Sequence, residues 1–449
     1  MTDIDNSSDP PRPSPLGGEG GRRSRSDEGA GSVRSSPDDR AQGGQPPHPS
    51  RSASHLLPRG EKEPASVPDP GSDLALYVHW PYCARICPYC DFNVVRDRGR
   101  AEEQAALTRA ILADMEAQAA VTGPRRLASI FFGGGTPSLM APEAVAAVIA
   151  RAKSLFPPRG AIEITLEANP TDAEAARFAA LADAGVNRLS MGVQALDDAA
   201  LAFLGRNHSA DEARRAVAVA ARAFPRLSID LIYARPDQTV AGWRAELTEA
   251  LDMGFEHVSP YQLTIEPTTA FGRAVARGAW TPPDEDRAAA LYETTQTMLE
   301  TAGFDAYEVS NHGRGEAARS AHNLHVWRGG DYLGVGPGAH GRLTLEGART
   351  ATVAHRGIGA YVAGVAAGAP WSERETQSAR DAAEERVLLG LRTVEGVALV
   401  ELATLGRTPH TDPLADLIAD GFLAVDAQRV RATRAGRPVL DGVLRALLA

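Results

Sequence analysis

The sequence predicts an α/β fold in which strands and helices alternate to build a parallel barrel. From residue 73 onward, short β-branched and aromatic runs alternate with longer stretches rich in Ala, Leu and Arg, which is the pattern of repeated βα units. Polar residues follow the ends of these strands, where parallel barrels build their active sites. Hydrophobic residues make up 43% of the chain, enough for a sizeable core. We therefore expect a barrel whose functional face lies at the strand ends.

Six βα units can be counted, with boundaries good to a few residues. The predicted strands are roughly 74–79, 128–132, 162–167, 187–191, 227–232 and 257–263. The predicted helices are roughly 101–121, 140–155, 172–184, 195–203, 210–223 and 240–252.

Residues 1–72 have a different composition, dense in Pro, Gly, Ser and Arg with almost no apolar periodicity. Such a segment buries too little surface to offset its chain entropy, so we predict a disordered tail. It carries eleven acidic and nine basic residues, whereas organelle transit peptides avoid acids. No apolar run in the chain is long enough for a secretory signal or a transmembrane helix. These features predict a cytoplasmic protein.

The net charge of the chain is −10, and the tail contributes nine minus eleven, or −2, so the remainder carries −8. A nucleic-acid binder would normally present a basic face. The charge therefore argues against nucleic acid as a partner.

All three cysteines of the chain, Cys83, Cys87 and Cys90, lie within eight positions. No cysteine remains for a disulfide framework, which indicates a reducing compartment and thiolates that serve a metal or cluster. Three thiolates can hold three irons of a [4Fe–4S] cube and leave the fourth iron open to another ligand. The alternative is a structural zinc site, for which His79 is the nearest fourth ligand.

Polar and glycine residues stand at the ends of the later strands. They are Gly133, Gly134, Gly135, Thr136, Glu167, Gln194 and Asp230. Taken singly, the glycines could form a tight turn, and Glu167 or Asp230 could cap a helix or pair with an arginine. Arg206, in the loop after a predicted helix, could be a surface residue. Because all these strand ends meet on one face, the set together indicates a ligand site.

Several segments resemble one branch of the radical S-adenosylmethionine (SAM) proteins. They are the cluster loop Tyr77–Phe92, the segments Phe132–Ser138, Asn187–Gln194 and Tyr261–Pro267, and Tyr307–Asn311. This branch contains oxygen-independent coproporphyrinogen oxidases and HemW-type heme chaperones. The resemblance covers nearly all of residues 74–449 and implies a partial (β/α)6 barrel in which SAM chelates the open iron.

The same resemblance implies roles for the strand-end residues. Tyr77 would lie beside the cluster, and Gly134, Gly135 and Thr136 would approach the methionyl part of SAM. Glu167 would face the ammonium group of SAM and Arg206 its carboxylate, because each charge needs an opposite partner. Gln194 and Asp230 would line the nucleoside site.

Two features distinguish the heme chaperones from the oxidases. The oxidases have a further cysteine where this chain has Phe92, and the chaperones have phenylalanine there. The segment with His322, Asn323 and Trp327 resembles the heme-associated segment of the chaperones, in which an imidazole could bind iron and an aromatic ring could stack on the porphyrin. Val326 replaces the tyrosine of that segment. Alternatively, His322 and Asn323 brace the loop while Trp327 packs in the core.

We predict a barrel over residues 73–300, a connecting region with the heme-associated segment over 301–372, and a small, mostly helical, winged-helix-like domain over 373–449. The expected function is that of a heme chaperone with a [4Fe–4S] cluster and SAM. Its partners would be heme, an unidentified heme-acceptor protein and a reductant for the cluster. The alternatives are an oxygen-independent coproporphyrinogen III oxidase of porphyrin biosynthesis and, with less support, a structural zinc protein.

Overall fold

The structure, a computed structural model, describes residues 73–449. The predicted tail over residues 1–72 lies outside the described residues. Two parts of the described chain have separate hydrophobic cores. The larger core joins the sheet to the helices that cover it, and the smaller one belongs to the C-terminal region. None of the helices between residues 73 and 449 is both long and apolar enough to cross a membrane.

Most strands belong to one mixed sheet of twelve strands. The strands of the described chain are β1 (Asp73–Trp80), β2 (Tyr82–Cys83), β3 (Val95–Arg96), β4 (Arg126–Gly134), β5 (Glu163–Ala168), β6 (Arg188–Gln194), β7 (Arg226–Tyr233), β8 (His257–Gln262), β9 (Asp305–Ala306), β10 (His312–Gly313), β11 (Asp331–Val335), β12 (His340–Leu345), β13 (Ala348–Ala354), β14 (Trp371–Thr376), β15 (Val397–Ala398), β16 (Leu423–Val425) and β17 (Arg429–Ala432). Their order in the large sheet is β14-β13-β12-β11-β1-β4-β5-β6-β7-β8-β10-β9.

The six predicted strands are β1, β4, β5, β6, β7 and β8, and they lie side by side in chain order and parallel. The predicted partial barrel is therefore confirmed. In β1, the alternating residues Leu74, Leu76 and Val78 are fully buried in the core. Tyr77 and His79 point to the opposite face, as the two-residue period of a strand requires.

Fifteen α-helices accompany the strands in residues 73–449. They are α1 (Ala101–Thr122), α2 (Pro142–Leu155), α3 (Asp172–Ala175), α4 (Phe178–Asp183), α5 (Asp198–Phe203), α6 (Ala210–Ala223), α7 (Val240–Leu251), α8 (Ala270–Ala276), α9 (Glu285–Thr301), α10 (Ala321–Trp327), α11 (Ile358–Ala366), α12 (Ala379–Gly390), α13 (Leu399–Thr404), α14 (Leu414–Ala419) and α15 (Leu440–Leu448).

Two predicted helices differ from the structure. The helix expected over 172–184 is broken into α3 and α4, and at the break Arg177 donates to the carbonyl of Met140 (2.5 Å). The helix expected from residue 195 begins later, because the Asp197 side chain accepts a hydrogen bond from the amide of Ala200 (2.8 Å) and caps α5. Contacts and caps of this kind decide boundaries that helix propensity leaves open.

The connecting region extends the sheet beyond β1. Strand β11 pairs with β1 in parallel, and β12, β13 and β14 follow in antiparallel order. Helix α10 lies against β4, β1 and β11. The segment that carries His322 is thus attached directly to the barrel wall.

The C-terminal region combines α12 to α15 with a small antiparallel sheet of β15, β17 and β16. Val387 of α12 and Leu391, which follows that helix, are buried in the smaller core. Helix α14 is followed by β16 and β17, which pair in antiparallel order. This agrees with the winged-helix-like arrangement expected from the sequence.

Candidate functional site

The three cysteines lie in the loop between β1 and α1, at the carboxyl end of β1. Backbone hydrogen bonds shape this loop. The amide of Cys90 donates to the carbonyl of Cys87 (3.1 Å), and the amide of Asp97 donates to the carbonyl of Cys83 (2.8 Å). All three thiols are free. The loop thus gathers three potential thiolate ligands at the strand-end face.

The thiols are in surroundings that oppose their ionisation. The pKa of Cys83 is raised to about 11, mainly by burial and also by the charges of Cys90 and Cys87, although a hydrogen bond with Thr136 opposes the rise. Burial also raises the pKa of Cys90. Three thiolates this close repel one another unless a cationic group offsets their charge. The donor set therefore fits a metal-containing group.

A mononuclear zinc site does not fit as well. The Nε2–H of His79 donates to the carbonyl of Asn93 (2.9 Å), and its Nδ1 accepts from the Tyr77 hydroxyl (3.0 Å). Both ring nitrogens of the candidate fourth ligand are therefore occupied. Within residues 73–449, no three His, Cys, Asp or Glu side chains are arranged to hold a single ion. In a [4Fe–4S] cube, by contrast, each thiolate binds a different iron.

The glycine loop after β4 packs closely on the cluster loop. The amide of Gly135 donates to the carbonyl of Trp80 (2.7 Å), and the amide of Thr136 donates to the carbonyl of Tyr82 (2.8 Å). A Cβ on Gly135 would lie 2.7 Å from the Tyr82 carbonyl oxygen, and one on Gly134 would lie 2.6 Å from the His79 ring. Glycine is needed at both positions because the protein itself fills the space that a side chain would take.

Two carboxyl groups, those of Glu167 and Asp230, face the barrel interior. The amide of Gly134 donates to Glu167 (3.2 Å). Burial raises the pKa of Glu167 to about 8, and the negative charge of Asp230 contributes to the rise. Burial also raises the pKa of Asp230 to about 6, although hydrogen bonds from Ser259 and Ser190 oppose this. A cationic ligand would favour the charged form of both groups.

Arg206 connects the strand-end face to the cysteine loop. Its Nη1 donates to the sulfur of Cys87 (3.4 Å), and its Nη2 donates to the carbonyl of Gly192 (2.9 Å) and to the side chain of Asn169. Burial alone would lower the pKa of Arg206, but Tyr89 and Cys87 raise it. The chain therefore holds a permanent cation against one thiol.

Two buried polar atoms in the same region have no hydrogen-bond partner among residues 73–449. They are the Nε of Arg206 and the Oε1 of Gln194. Gln194 also has a φ of 68°, in the left-handed region that a non-glycine residue seldom adopts. Buried polar atoms normally have partners, so these atoms fit a polar ligand in the barrel.

A second site opens beside the barrel, and we call it the side cavity. It has a volume of about 580 Å³. It is lined by Tyr77, His79, Asp91, Phe92, Asn93, Phe131, His322, Asn323, Val326, Trp327, Tyr332, Gly338, His340, Val353, Arg356, Ser372 and Glu373. The structure thus brings the three predicted heme-associated residues together with Tyr77 and the cluster loop, and Phe92 is 65% exposed there.

His322 is buried at the wall of the side cavity and firmly oriented. Its Nδ1 lies 2.9 Å from the Ser129 hydroxyl oxygen, and its ring centroid lies 5.0 Å from that of Phe131. The Glu163 carboxylate accepts from the amides of Ala321 and His322, each at 3.0 Å. Burial lowers the pKa of His322 to about 3. The ring is therefore neutral and held in place, as metal-binding imidazoles require.

Sequence reasoning missed several residues that line the side cavity. Phe131 comes from β4, Tyr332 from β11 and His340 from β12, while Arg356 follows β13. No motif marks these positions, because each was indistinguishable from an ordinary strand or loop residue. These residues could have been found only from the pairing of β11 with β1, which brings their strands next to the barrel.

Comparisons with known proteins agree with this geometry. The family described as "Radical SAM superfamily" matches residues 77–247, and the "HemN C-terminal domain" matches residues 377–439. The chain is 41% identical to "Radical S-adenosyl methionine domain-containing protein 1, mitochondrial" of Bos taurus, covering 85% of this chain and 89% of that protein. It is 35% identical to "Heme chaperone HemW" of Escherichia coli, covering 84% of this chain and 98% of that protein. The chain belongs to the HemW-like branch of the radical SAM family.

A solved structure supports the same fold. Coproporphyrinogen III oxidase (HemN) of Escherichia coli matches with a TM-score of 0.71 and 21% identity, covering 85% of this chain and 91% of that chain. At this identity the likeness shows the fold alone. Membership of the radical SAM family implies a [4Fe–4S] cluster and SAM. The strand-end face and the side cavity are thus two parts of a radical SAM protein.

Proposed function

We propose that this protein is a heme chaperone, which binds heme in the side cavity and transfers it to an acceptor protein. The observation that carries the proposal is the position of His322, a neutral and oriented imidazole inside an aromatic-walled cavity next to the cysteine loop. The relatives named heme chaperone HemW support it, because they match 84–86% of this chain in Escherichia coli and Mycobacterium tuberculosis.

The hydrogen bonding of His322 supports a role as an iron ligand. If Nδ1–H donates to the Ser129 hydroxyl, Nε2 carries the lone pair. The lowered pKa keeps that lone pair free at neutral pH. Trp327, on the same helix as His322, offers an aromatic surface for the porphyrin. Val326 lines the cavity without the phenol of the related segment.

The charges that line the side cavity favour heme over coproporphyrinogen. Among the described lining residues, Arg356 is the one permanently cationic side chain, while Asp91 and Glu373 are acidic. Coproporphyrinogen III carries four carboxylates and heme carries two. A tetra-anion would meet more repulsion than attraction here. This charge balance supports the chaperone over the oxidase.

We further propose that Cys83, Cys87 and Cys90 hold the [4Fe–4S] cluster, with SAM at the open iron. When bound and reduced, such a cluster can supply an electron for the cleavage of SAM. Glu167 and Asp230 would attract the positive charge of SAM, and Gln194 and Arg206 have unpaired polar atoms for its polar groups. Gly134, Gly135, Thr136 and Tyr77 would form the walls between SAM and the cluster loop.

The partners would be heme, an acceptor protein and a reductant for the cluster. The three free cysteines need a reducing compartment. We propose the cytoplasm, although several relatives carry names that include "mitochondrial".

Heme titration of the His322→Ala variant tests the proposal. We expect the heme affinity to fall at least about tenfold, since a ligand to iron is lost, while the iron content of the reconstituted protein stays unchanged. His410→Ala is the matched control, because His410 is an exposed histidine of the C-terminal region. His340→Ala tests another imidazole of the same cavity.

Equal heme affinity in wild type, His322→Ala and His340→Ala would overturn the proposal that heme binds in the side cavity. A loss with His340→Ala alone would remove His322 from the iron site but keep the cavity. Near-ultraviolet circular dichroism of each variant separates loss of a ligand from loss of the fold.

A further inference from the structure

The mouth of the side cavity has an unpaired cation, Arg356, in the loop after β13. The side chain is exposed, and it has no hydrogen bond or ion pair with any of the described residues. Many exposed arginines of this chain are paired with a carboxylate, such as Arg328 with Glu395. A free guanidinium at the edge of an aromatic-walled cavity is placed to meet an anionic group of the ligand.

The backbone of Arg356 is fixed. Asn93 of the cluster loop donates through Nδ2 to the carbonyls of Pro337 (2.8 Å) and Arg356 (2.9 Å). The carbonyl of Asn93 in turn accepts from His79 (2.9 Å). A Cβ on Gly338 would lie 2.7 Å from Asn93 Nδ2, so the contact is close-packed. The side chain of Arg356 therefore begins at a defined point on the cavity rim.

The other basic groups of the lining cannot replace Arg356. His79 and His322 are buried, their pKa values are lowered, and a neighbouring group occupies a ring nitrogen of each. Burial and nearby Arg342 lower the pKa of His340. At neutral pH these imidazoles carry little charge. A carboxylate in the cavity therefore has one strong partner, which competes with the exposed acid Glu373 on the same rim.

We propose that Arg356 binds a propionate of the tetrapyrrole held in the side cavity. This inference rests on the proposed function and deepens it. The planar guanidinium can donate two parallel hydrogen bonds to one carboxylate. The second propionate extends towards solvent, since no other cation lines the described part of the cavity. Extra carboxylates would face Asp91 and Glu373 instead.

Titration with heme and with heme dimethyl ester tests this role, because the ester keeps the iron and the ring but removes both carboxylate charges. We expect wild type to bind heme about tenfold more tightly than the ester. The Arg356→Gln variant should bind the two within about twofold, while Arg356→Lys recovers part of the preference. Arg222→Gln, an exposed arginine on α6 outside the cavity lining, should behave as wild type.

The outcomes separate this inference from the proposed function. Equal affinity of wild type for heme and the ester, or an unchanged preference in Arg356→Gln, overturns the role of Arg356 and leaves heme binding intact. Failure of wild type to bind either compound overturns the proposed function itself. Since Arg356 is exposed and its contact with Asn93 uses the backbone, Arg356→Gln should retain the wild-type circular dichroism and iron content.

Discussion

The strand-end face and the side cavity are built in different ways. The strand-end face takes its polar residues from loops and strand ends that follow one another around the barrel, such as Cys83, Thr136 and Glu167. The side cavity combines Tyr77 of the first strand with Trp327 and Arg356, which come more than two hundred residues later. The first region is dense with hydrogen bonds and charge, and the second has aromatic walls with few charges. This difference fits the proposal that one region holds the cluster and SAM and the other holds heme.

The largest expected effect is the loss of iron when a cysteine is replaced, which should affect the strand-end face much more than the side cavity. In Cys83→Ala, Cys87→Ala or Cys90→Ala, we expect the reconstituted protein to lose its iron, since a three-thiolate site cannot spare a ligand. Heme affinity should fall far less than the iron content, because none of these cysteines lines the side cavity, although Asp91, Phe92 and Asn93 of the same loop do. Iron and sulfide analysis with a parallel heme titration measures both. Retention of four irons in these variants would contradict the cluster assignment.

A smaller effect is expected on the affinity for SAM, and this effect should depend on pH. Glu167 has a pKa raised to about 8, so its carboxylate forms mainly above that pH. We expect Glu167→Gln to bind SAM more weakly than wild type, with a ratio of affinities that grows to about tenfold as the pH rises from 7 to 9.

Glu143→Gln, an exposed residue on α2, is the control for the SAM titrations. A ratio that stays at one across the pH range would exclude Glu167 from the SAM site. Heme affinity should not change in either variant.

The smallest expected effect is on heme binding as the pH falls. An ordinary histidine, with a pKa near 6.5, would lose its lone pair between pH 8 and 5.5. Because burial lowers the pKa of His322 to about 3, its imidazole stays neutral over this whole range. The His322-dependent part of the heme affinity, obtained by subtracting the His322→Ala titration, should therefore remain constant. A midpoint within this pH range would exclude His322 as the ligand.

The sequence predicted the strand-end face better than the side cavity. The strand expected over 74–79 is Asp73–Trp80 and the one over 227–232 is Arg226–Tyr233, because short runs of buried apolar residues define parallel strands well. The cysteines and the strand-end residues could also be predicted from the sequence, because each follows its strand directly. His322 and Trp327 were found only through resemblance to a related segment.

The remaining features depended on contacts that no local pattern records. Arg356 reaches the side cavity only because β13 joins the sheet through β12 and β11. The break between α3 and α4 coincides with the contact from Arg177 to Met140, which helix propensity does not contain. These features could not be predicted from the sequence because they depend on contacts between distant segments.

The most direct test of the central claim, that the side cavity carries heme and does not process coproporphyrinogen, uses one anaerobically reconstituted sample. One half receives heme, and the other receives coproporphyrinogen III with SAM and a reductant. We expect tight heme binding that depends on His322, with no protoporphyrinogen formed. Turnover of coproporphyrinogen to protoporphyrinogen would contradict it and make the protein an oxidase.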